Sequence, residues 1–410
     1  MGGGGGVPGE LIREQAAQLD AEDPLAGFRG RFAIDEGGPL YADGNSLGRL
    51  SHASAEAVQE AVETWGTRLV GAWDDWIELP ARVGDLLAEH VLGAEPGEVV
   101  VCDSVTVNLF KLAGAVLQQD PGPIAALSDD FPTDRYVLQG LAARHDVDLR
   151  LVSKAQLPHA ARDARLVCLS HVDYRSGEMA EMGAIRPDNG YVLWDLSHSA
   201  GAVEIDLAET GADLAVGCTY KYLNGGPGAP AYLYVRKDLQ DRLRSPVQGW
   251  FGQREQFAMG LRYEPAEGID RFLAGTPPIL SLIAAEAGIR MIGQASMPVI
   301  AAKTRALTEL FTYLHDQWLA PLGFMLASPR GARARGGHVA LRHPQAWPIT
   351  RALVERANVV PDFRGPDVIR FAFPALYTRF VDVVDVAQRT RDVVEQGEHE
   401  RVDDAPRRVT

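Results

Sequence analysis

Seven short apolar runs between positions 99 and 234 constrain this chain more than any other feature. They read "EVVVCD", "PIAALSD", "DLRLVS", "ARLVCLSH", "GYVLWDLS", "ADLAVGCTY" and "AYLYV". Runs that are apolar at nearly every position suit strands buried on both faces. Helical or loop-like segments separate them, so the pattern predicts a mostly parallel sheet flanked by helices, an α/β fold. Helical periodicity is clearest over 51–70, 105–119 and 279–315, the last as two helices. Beyond about position 300 a smaller α/β unit follows. Its strands are "GGHVALRH" and "VIRFAF", and "VDVVDVAQRTRDVVEQ" is its closing helix.

The expected division has five parts. A flexible lead covers 1–20, and a segment over 21–90 contributes to the small domain and the site entrance. A large domain covers 91–295, a small domain 296–396, and a flexible tail 397–410. The opening "MGGGGGVPGE" has no basic or apolar region of a signal peptide, and Gly6 breaks the myristoylation pattern. No apolar stretch nears the ~20 residues of a spanning helix. The net charge of −15 argues against a nucleic-acid or anionic-membrane partner, since both need a basic face. Cys102, Cys168 and Cys218 sit in strand-like runs with no CxxC or metal spacing, as buried free thiols would. The expectation is a soluble cytoplasmic protein with no metal.

In open α/β sheets ligands sit at the carboxyl ends of the strands. Four such ends carry polar chemistry. In "CDSVTVNLF", Ser104 can cap a helix whose first turn, with Thr106, offers unpaired N–H groups to a phosphate. Plain N-capping is the alternative. In "SDDFPTDRY", Pro132 holds Phe131 and Asp134 at a loop, where an aromatic and a carboxylate could orient a flat ring; simple packing of Phe131 is the alternative. In "YVLWDLSHSAG", Asp195 ends an apolar strand, with His198 close behind. A buried carboxylate there needs a cation, either an arginine or a heterocycle nitrogen such as the pyridinium of pyridoxal phosphate (PLP). In "GCTYKYLNGGPGAP", Lys221 follows Asp195 by 26 residues. A partly desolvated lysine has a lowered pKa and can form a Schiff base with an aldehyde. The chain has only five lysines, which fits poorly with an idle surface charge. Taken in chain order, the four signals follow the plan of a PLP enzyme.

The same residues resemble the kynureninase family. "YADGNSLGRL", "TVNL", "FPTD", "WDLSHSAG", "YKYLNGGPGAP", "GWFG", "GTPPIL" and "IRFAFPALY" follow in the family's order, over about 41–380. The resemblance implies PLP fold type I, class V group: a large domain with a mostly parallel mixed sheet flanked by helices, plus a small α/β domain. It implies hydrolysis of L-kynurenine to anthranilate and L-alanine in tryptophan catabolism, with 3-hydroxykynurenine as the alternative substrate. PLP would be a Schiff base on Lys221, with Asp195 on its ring nitrogen, Asp134 near the same edge and Phe131 stacked on the ring. Val105 and Thr106 would meet the phosphate, with Ser170, His198 and Tyr220 around cofactor and phosphate. The family's site is built in a homodimer, so Trp250 and Thr276 would come from the neighbouring subunit. Arg370 would grip the carboxylate of the amino-acid substrate, with Ser46 and Trp73 also on the substrate side. Trp73 and Thr276 lean toward unhydroxylated kynurenine.

In the reaction so implied, the substrate amine displaces Lys221, which then takes the Cα proton. Water adds to the aryl ketone, and the Cβ–Cγ bond breaks. Tyr220 is a proton donor or a phosphate partner; acid–base work near neutrality needs its pKa lowered from ~10. Arginine grips carboxylates bidentately, and "VIRFAF" is too apolar for an idle Arg370, whose alternative is a structural ion pair. Rival readings remain. Cysteine desulfuration needs a mobile reactive cysteine, and transamination uses the same cofactor. Nucleic-acid binding through Arg330, Arg333, Arg335 and Arg342 lacks interleaved aromatics.

Overall fold

The computed structural model describes residues 9–403. The chain divides into two compact units. The larger comprises Ala53–Tyr174 and Ala180–Gln294; the other comprises the described residues of Met1–His52, Arg175–Met179 and Ala295–Thr410.

All seven apolar runs are strands of one sheet in the larger unit. They are β1 (Val99–Val101), β2 (Ile124–Leu127), β3 (Leu149–Val152), β4 (Leu166–Ser170), β5 (Tyr191–Asp195), β6 (Leu214–Gly217) and β7 (Tyr232–Val235). Their order is β1-β7-β6-β5-β4-β2-β3. The pairs among β6, β5, β4, β2 and β3 are parallel, while β7 runs antiparallel to β6 and to β1. β1 therefore runs with the parallel group, and its carboxyl end lies on the same side of the sheet as theirs. Every residue of β1, β6 and β7 is buried, whereas β3 is half-buried throughout. β3 is an edge strand, and its Arg150 pairs with Asp148 and Asp163, a charge that blunts the edge against further pairing. The helix Val105–Gln119 covers one face and buries Leu109, Leu112 and Val116 with the sheet residues.

In the smaller unit, four antiparallel strands take the order Asp362–Arg364, Val368–Ala372, His338–Arg342, Met325–Leu326. The helices Met297–Leu314, Ala346–Glu355 and Phe380–Glu395 bury Leu307, Ile349 and Val383 in its core.

Three expectations about the ends and boundaries are corrected. The lead over 1–20 is not flexible from position 9: Gly9–Ala21 is a helix, because Ile12 and Ala16, one turn apart, are buried in the smaller unit's core. Asp20 caps the helix Phe380–Glu395 by accepting from the N–H groups of Phe380 (2.6 Å) and Val381 (3.0 Å). The segment 21–90 does not act as one piece, since residues from Ala53 on belong to the sheet unit. The tail over 397–403 is held: Glu398–Arg401 forms a turn of helix with His399 buried, bonded to Val393 O (3.2 Å) and Gln345 Oε1 (3.1 Å). Positions 1–8 and 404–410 of those two segments lie outside the described residues.

Candidate active site

The carboxyl ends of β1, β2, β4, β5 and β6 open onto one cavity of about 380 Å3 within the larger unit. After β1, Asp103 turns in the left-handed region (φ +48°), and Ser104 caps the helix Val105–Gln119 by accepting from Val107 N at 3.3 Å. Val105 and Thr106 thereby face the cavity at the helix start, where N–H groups without intrahelical partners favour an anion. Lys111, two turns on, is fully buried, with its ammonium 2.6 Å from Asp103 Oδ2 and 2.6 Å from Phe272 O.

After β2, Phe131 enters the cavity edge-on to Tyr174, their centroids 5.3 Å apart. Asp130 accepts from Phe131 N (2.9 Å), from Ser170 N (3.0 Å) and from Ser170 Oγ. That fixes Ser170, the last residue of β4, in the cavity wall. Asp134 is 2% exposed, and its carboxyl group lies within hydrogen-bonding reach of another carboxyl, that of Asp195. After β5, Asp195 is also buried, and Oδ1 accepts from Ser197 N (2.8 Å) and Ser197 Oγ (2.5 Å).

Lys221 stands in the turn after β6. Thr219 O accepts from Gly225 N (2.9 Å), and Lys221 O accepts from Asn224 N (3.0 Å). Gly226 and Gly228 have φ of +88° and +70°, which side chains resist, so "NGGPG" is a backbone requirement of that turn. Gly201 (φ +84°) serves the facing loop: a Cβ there would lie 3.1 Å from the Tyr222 backbone, so its absence lets the "WDLSHSAG" loop pack against the Lys221 segment. Lys221 Nζ consequently lies 2.9 Å from His198 Nε2.

Three carboxyl groups crowd together here: Asp195 in the cavity lining, with Asp130 and Asp134 close enough to interact with it. Burial is the leading cause that raises the pKa of Asp130, Asp134 and Asp195; the neighbouring Asp195 and Asp130 add to it at Asp134. Lys221 lowers the values of both Asp134 and Asp195. A cationic ring nitrogen would be a fitting partner for Asp195, the one of these three carboxyl groups that lines the cavity. With an amine, an anion-binding helix start and flanking aromatics in one cavity, these residues fit PLP. Of the two roles open to Tyr220, the hydrogen-bonding one fits its surroundings better. The adjacent Cys218 sulfur, then burial, push its phenol up rather than down, so it stays a hydrogen-bond donor at neutral pH.

Val105, Thr106, Phe131, Ser170, Asp195, His198, Tyr220 and Lys221 line this cavity. Trp250, Thr276 and Trp73 do not. Trp250 is 41% exposed and packs on Phe251 (4.6 Å), and Thr276 is exposed. Trp73 packs edge-on against Trp76 (6.0 Å) in a surface hollow with Trp65, Leu69 and Val70. Arg370 and Ser46 belong to the smaller unit, where Arg370 pairs with Asp362 and donates to Ser46 Oγ at 3.4 Å. Sequence reasoning missed Asp130, Ser197, Tyr174 and the Asp103–Lys111 pair. The doubled aspartate of "SDDF" and the scarcity of lysine were the available signals.

A family model described as kynureninase C-terminal domain matches residues 300–390. A kynureninase of Burkholderia pseudomallei (strain K96243) is 43% identical over 400 residues, which span 93% of this chain and 95% of that protein. A kynureninase of Pseudomonas fluorescens is 42% identical over 401 residues, 94% of this chain and 96% of that protein. Among solved structures, the apo cysteine desulfurase of Thermococcus onnurineus NA1 has a TM-score of 0.79 at 20% identity, covering 90% of this chain and 98% of that one. A C-DES mutant with glycine covalently linked to the PLP cofactor has a TM-score of 0.76 at 18% identity, over 88% and 98%. At such identities the structures speak for the fold alone.

Proposed function

The chain belongs to the kynureninase family, and from that premise we propose that it hydrolyses L-kynurenine to anthranilate and L-alanine, with PLP on Lys221. The observation that carries the reading is the meeting of Lys221, buried Asp195 and the helix start at Val105 and Thr106 in one cavity. Bound there, PLP supplies an electron sink for carbanion chemistry at the substrate's Cα.

The chain's residues do the rest. The N–H groups at Val105 and Thr106 hold the phosphate, with Ser170, His198 and Tyr220 beside them. Asp195, oriented by Ser197, would hold the ring-nitrogen proton, with Asp134 beside it. Phe131, in the cavity wall, would pack against the cofactor ring. Lys221 carries the Cα proton, with His198 as its hydrogen-bond partner. Tyr220 donates a hydrogen bond as a neutral phenol. Arg370 takes the substrate carboxylate, as a two-pronged guanidinium does, with Ser46 at its side. Purified protein supplied with PLP and L-kynurenine should produce the fluorescence of anthranilate; a colourless protein that releases none would overturn the reading.

The enzyme works as a homodimer in this proposal. Trp65, Leu69 and Val70 are 58%, 63% and 81% exposed around one apolar hollow, and Leu69 is held at φ +48°. A contiguous apolar face of this kind fits a protein contact. A second copy would bring Trp250 and Thr276 to the site, and Trp73 would help to favour kynurenine over its 3-hydroxy form. Three buried free thiols suit a reducing, cytoplasmic setting.

Cysteine desulfuration, the activity named for similar folds, finds no support in the thiols. Burial raises the pKa of Cys102 to about 11 and pushes Cys168 and Cys218 upward too, so none is a ready nucleophile.

A further inference from the structure

Arg370 sits in a charge network of its own unit. Its guanidinium pairs with Asp362, which is 2% exposed, and Arg364 Nη1 donates to the other oxygen of Asp362 at 2.7 Å. Asp362 and Arg370 are register partners on adjacent strands, so this pairing is fixed by the sheet. From the other side comes the "DGNS" loop. With its amide oriented to satisfy both neighbours, fully buried Asn45 donates to Asp43 Oδ1 at 3.1 Å and accepts from Arg370 Nη2 and Nε at 3.2 Å. The loop can come so close because position 44 is glycine: a Cβ there would lie 2.2 Å from Pro374 Cγ. Asn45 thus links a carboxylate, Asp43, to the arginine.

The network holds two guanidinium groups, Arg370 and Arg364, and two carboxyl groups, Asp362 and Asp43. A bound substrate would add a third carboxylate. Asp362 is committed to both arginines, which leaves Asp43 as the group that can yield its charge. We propose that Asp43 is a positioning residue of the carboxylate clamp, which grips substrate most tightly when Asp43 is protonated and Asn45 relays that state to Arg370. This rests on the reading of Arg370 as the carboxylate-binding group.

Burial, then the charge of Asp362, push Asp43 up to about 7, against the opposing pull of the Ser46 hydroxyl, Arg370 and Arg364. Tyr41 on the same segment also faces it, with Arg49 over the Tyr41 ring at 5.1 Å. The sign follows. Below pH 7 the network carries net positive charge and attracts a carboxylate; above it Asp43 ionises and the attraction falls.

The test is an absorbance titration of the PLP-loaded enzyme with L-alanine between pH 6 and pH 8.5. The apparent Kd of the parent should rise roughly tenfold from pH 6 to pH 8, as expected when binding requires one proton. Asp43→Asn keeps an acceptor for Asn45 and should flatten that rise to less than twofold. Arg364→Gln, which removes a cation facing Asp43, should move the rise to higher pH. A slope unchanged in Asp43→Asn, or a uniform weakening at every pH, overturns the proposal. An unmoved profile in Arg364→Gln does the same if Asp43→Asn fails to fold. Arg370→Met separates the two levels: if it binds L-alanine as well as the parent at pH 6, the clamp reading itself has failed.

Discussion

Lys221 Nζ and His198 Nε2 lie 2.9 Å apart, so one of these two nitrogens must offer a lone pair to the other. An ammonium donating to a neutral imidazole satisfies this, with the ring proton on Nδ1. Lys221→Ala should abolish both turnover and the lysine adduct that borohydride fixes from PLP, read by peptide mass spectrometry. His198→Phe should retain the adduct and lower kcat by roughly 10–150-fold, the equivalent of one charge-assisted hydrogen bond of about 1.5–3 kcal/mol.

Asp134 gives a pH prediction for the cofactor-free protein. Burial and the neighbouring Asp195 raise its pKa in the folded state, so its proton is lost at higher pH there than in the unfolded chain. Stability from this group is fully present below the unfolded value of ~3.9 and is lost as pH rises through the raised folded value. Asp134→Asn removes the penalty. Without PLP, its Tm at pH 8 should exceed the parent's, and the gap should close toward pH 4. With PLP bound the order should reverse, because the carboxylate then faces a cation. Calorimetry with and without PLP checks both signs.

Tyr220 should act by donating a hydrogen bond, since Cys218 and burial hold its phenol protonated across the neutral range. Tyr220→Phe should weaken PLP binding by roughly tenfold or more, in line with a hydrogen bond to a charged group. The pH profile of kcat should keep its shape between pH 6 and 9. A missing alkaline limb in the variant would instead mark Tyr220 as an ionising acid–base group.

The sheet was legible because burial on both faces leaves nothing but apolar residues in a strand. Lys221 and Asp195 stood out for the complementary reason, as charges that end such runs. Other features left no such mark. The strand Asp362–Arg364 reads "DFR", too polar to be called a strand until Arg370 is placed in register beside it. Asp129 and Asp130 are equivalent in sequence, and it is the N–H groups of Phe131 and Ser170 and the Ser170 hydroxyl that single out Asp130. The helix Gly9–Ala21 buries just Ile12 and Ala16, too thin an apolar stripe beside a glycine-rich lead. Trp250 and Thr276 are tied to the site only through the family resemblance, because nothing local to either residue points to a cofactor.

Val70 tests the dimer. At 81% exposed beside Leu69 and Trp65, it contributes apolar surface that a second copy would cover. Val70→Asp places a charge there with little cost to the folded monomer, since the residue is open to solvent. Sedimentation should show a shift from dimer to monomer, and kcat/KM should fall with dissociation and recover at high protein concentration. A monomeric parent with full activity would sink the shared-site arrangement.

Lys111 should matter for cofactor binding although it does not line the cavity. It is fully buried, pairs with Asp103 Oδ2 at 2.6 Å and donates to Phe272 O at 2.6 Å and Cys102 Sγ at 3.4 Å. Asp103 holds a left-handed backbone just before the Ser104 cap, a conformation that Asp tolerates better than most residues. The lysine thus ties down the turn that aims the helix start at the phosphate. Breaking a buried pair costs about 3–5 kcal/mol. The lower end applies here, because the Asp103 side chain is 29% exposed and can regain water. Lys111→Met should therefore fold, with Tm lowered by roughly 5–10 °C. The further rise in Tm that PLP gives the parent should shrink in the variant, because the helix start is no longer held. Lys111→Arg should not rescue it, since a guanidinium has no room in a site without exposed surface. Equal stabilisation of Lys111→Met and parent by PLP would reduce Lys111 to a fold-stabilising residue with no part in the phosphate cup.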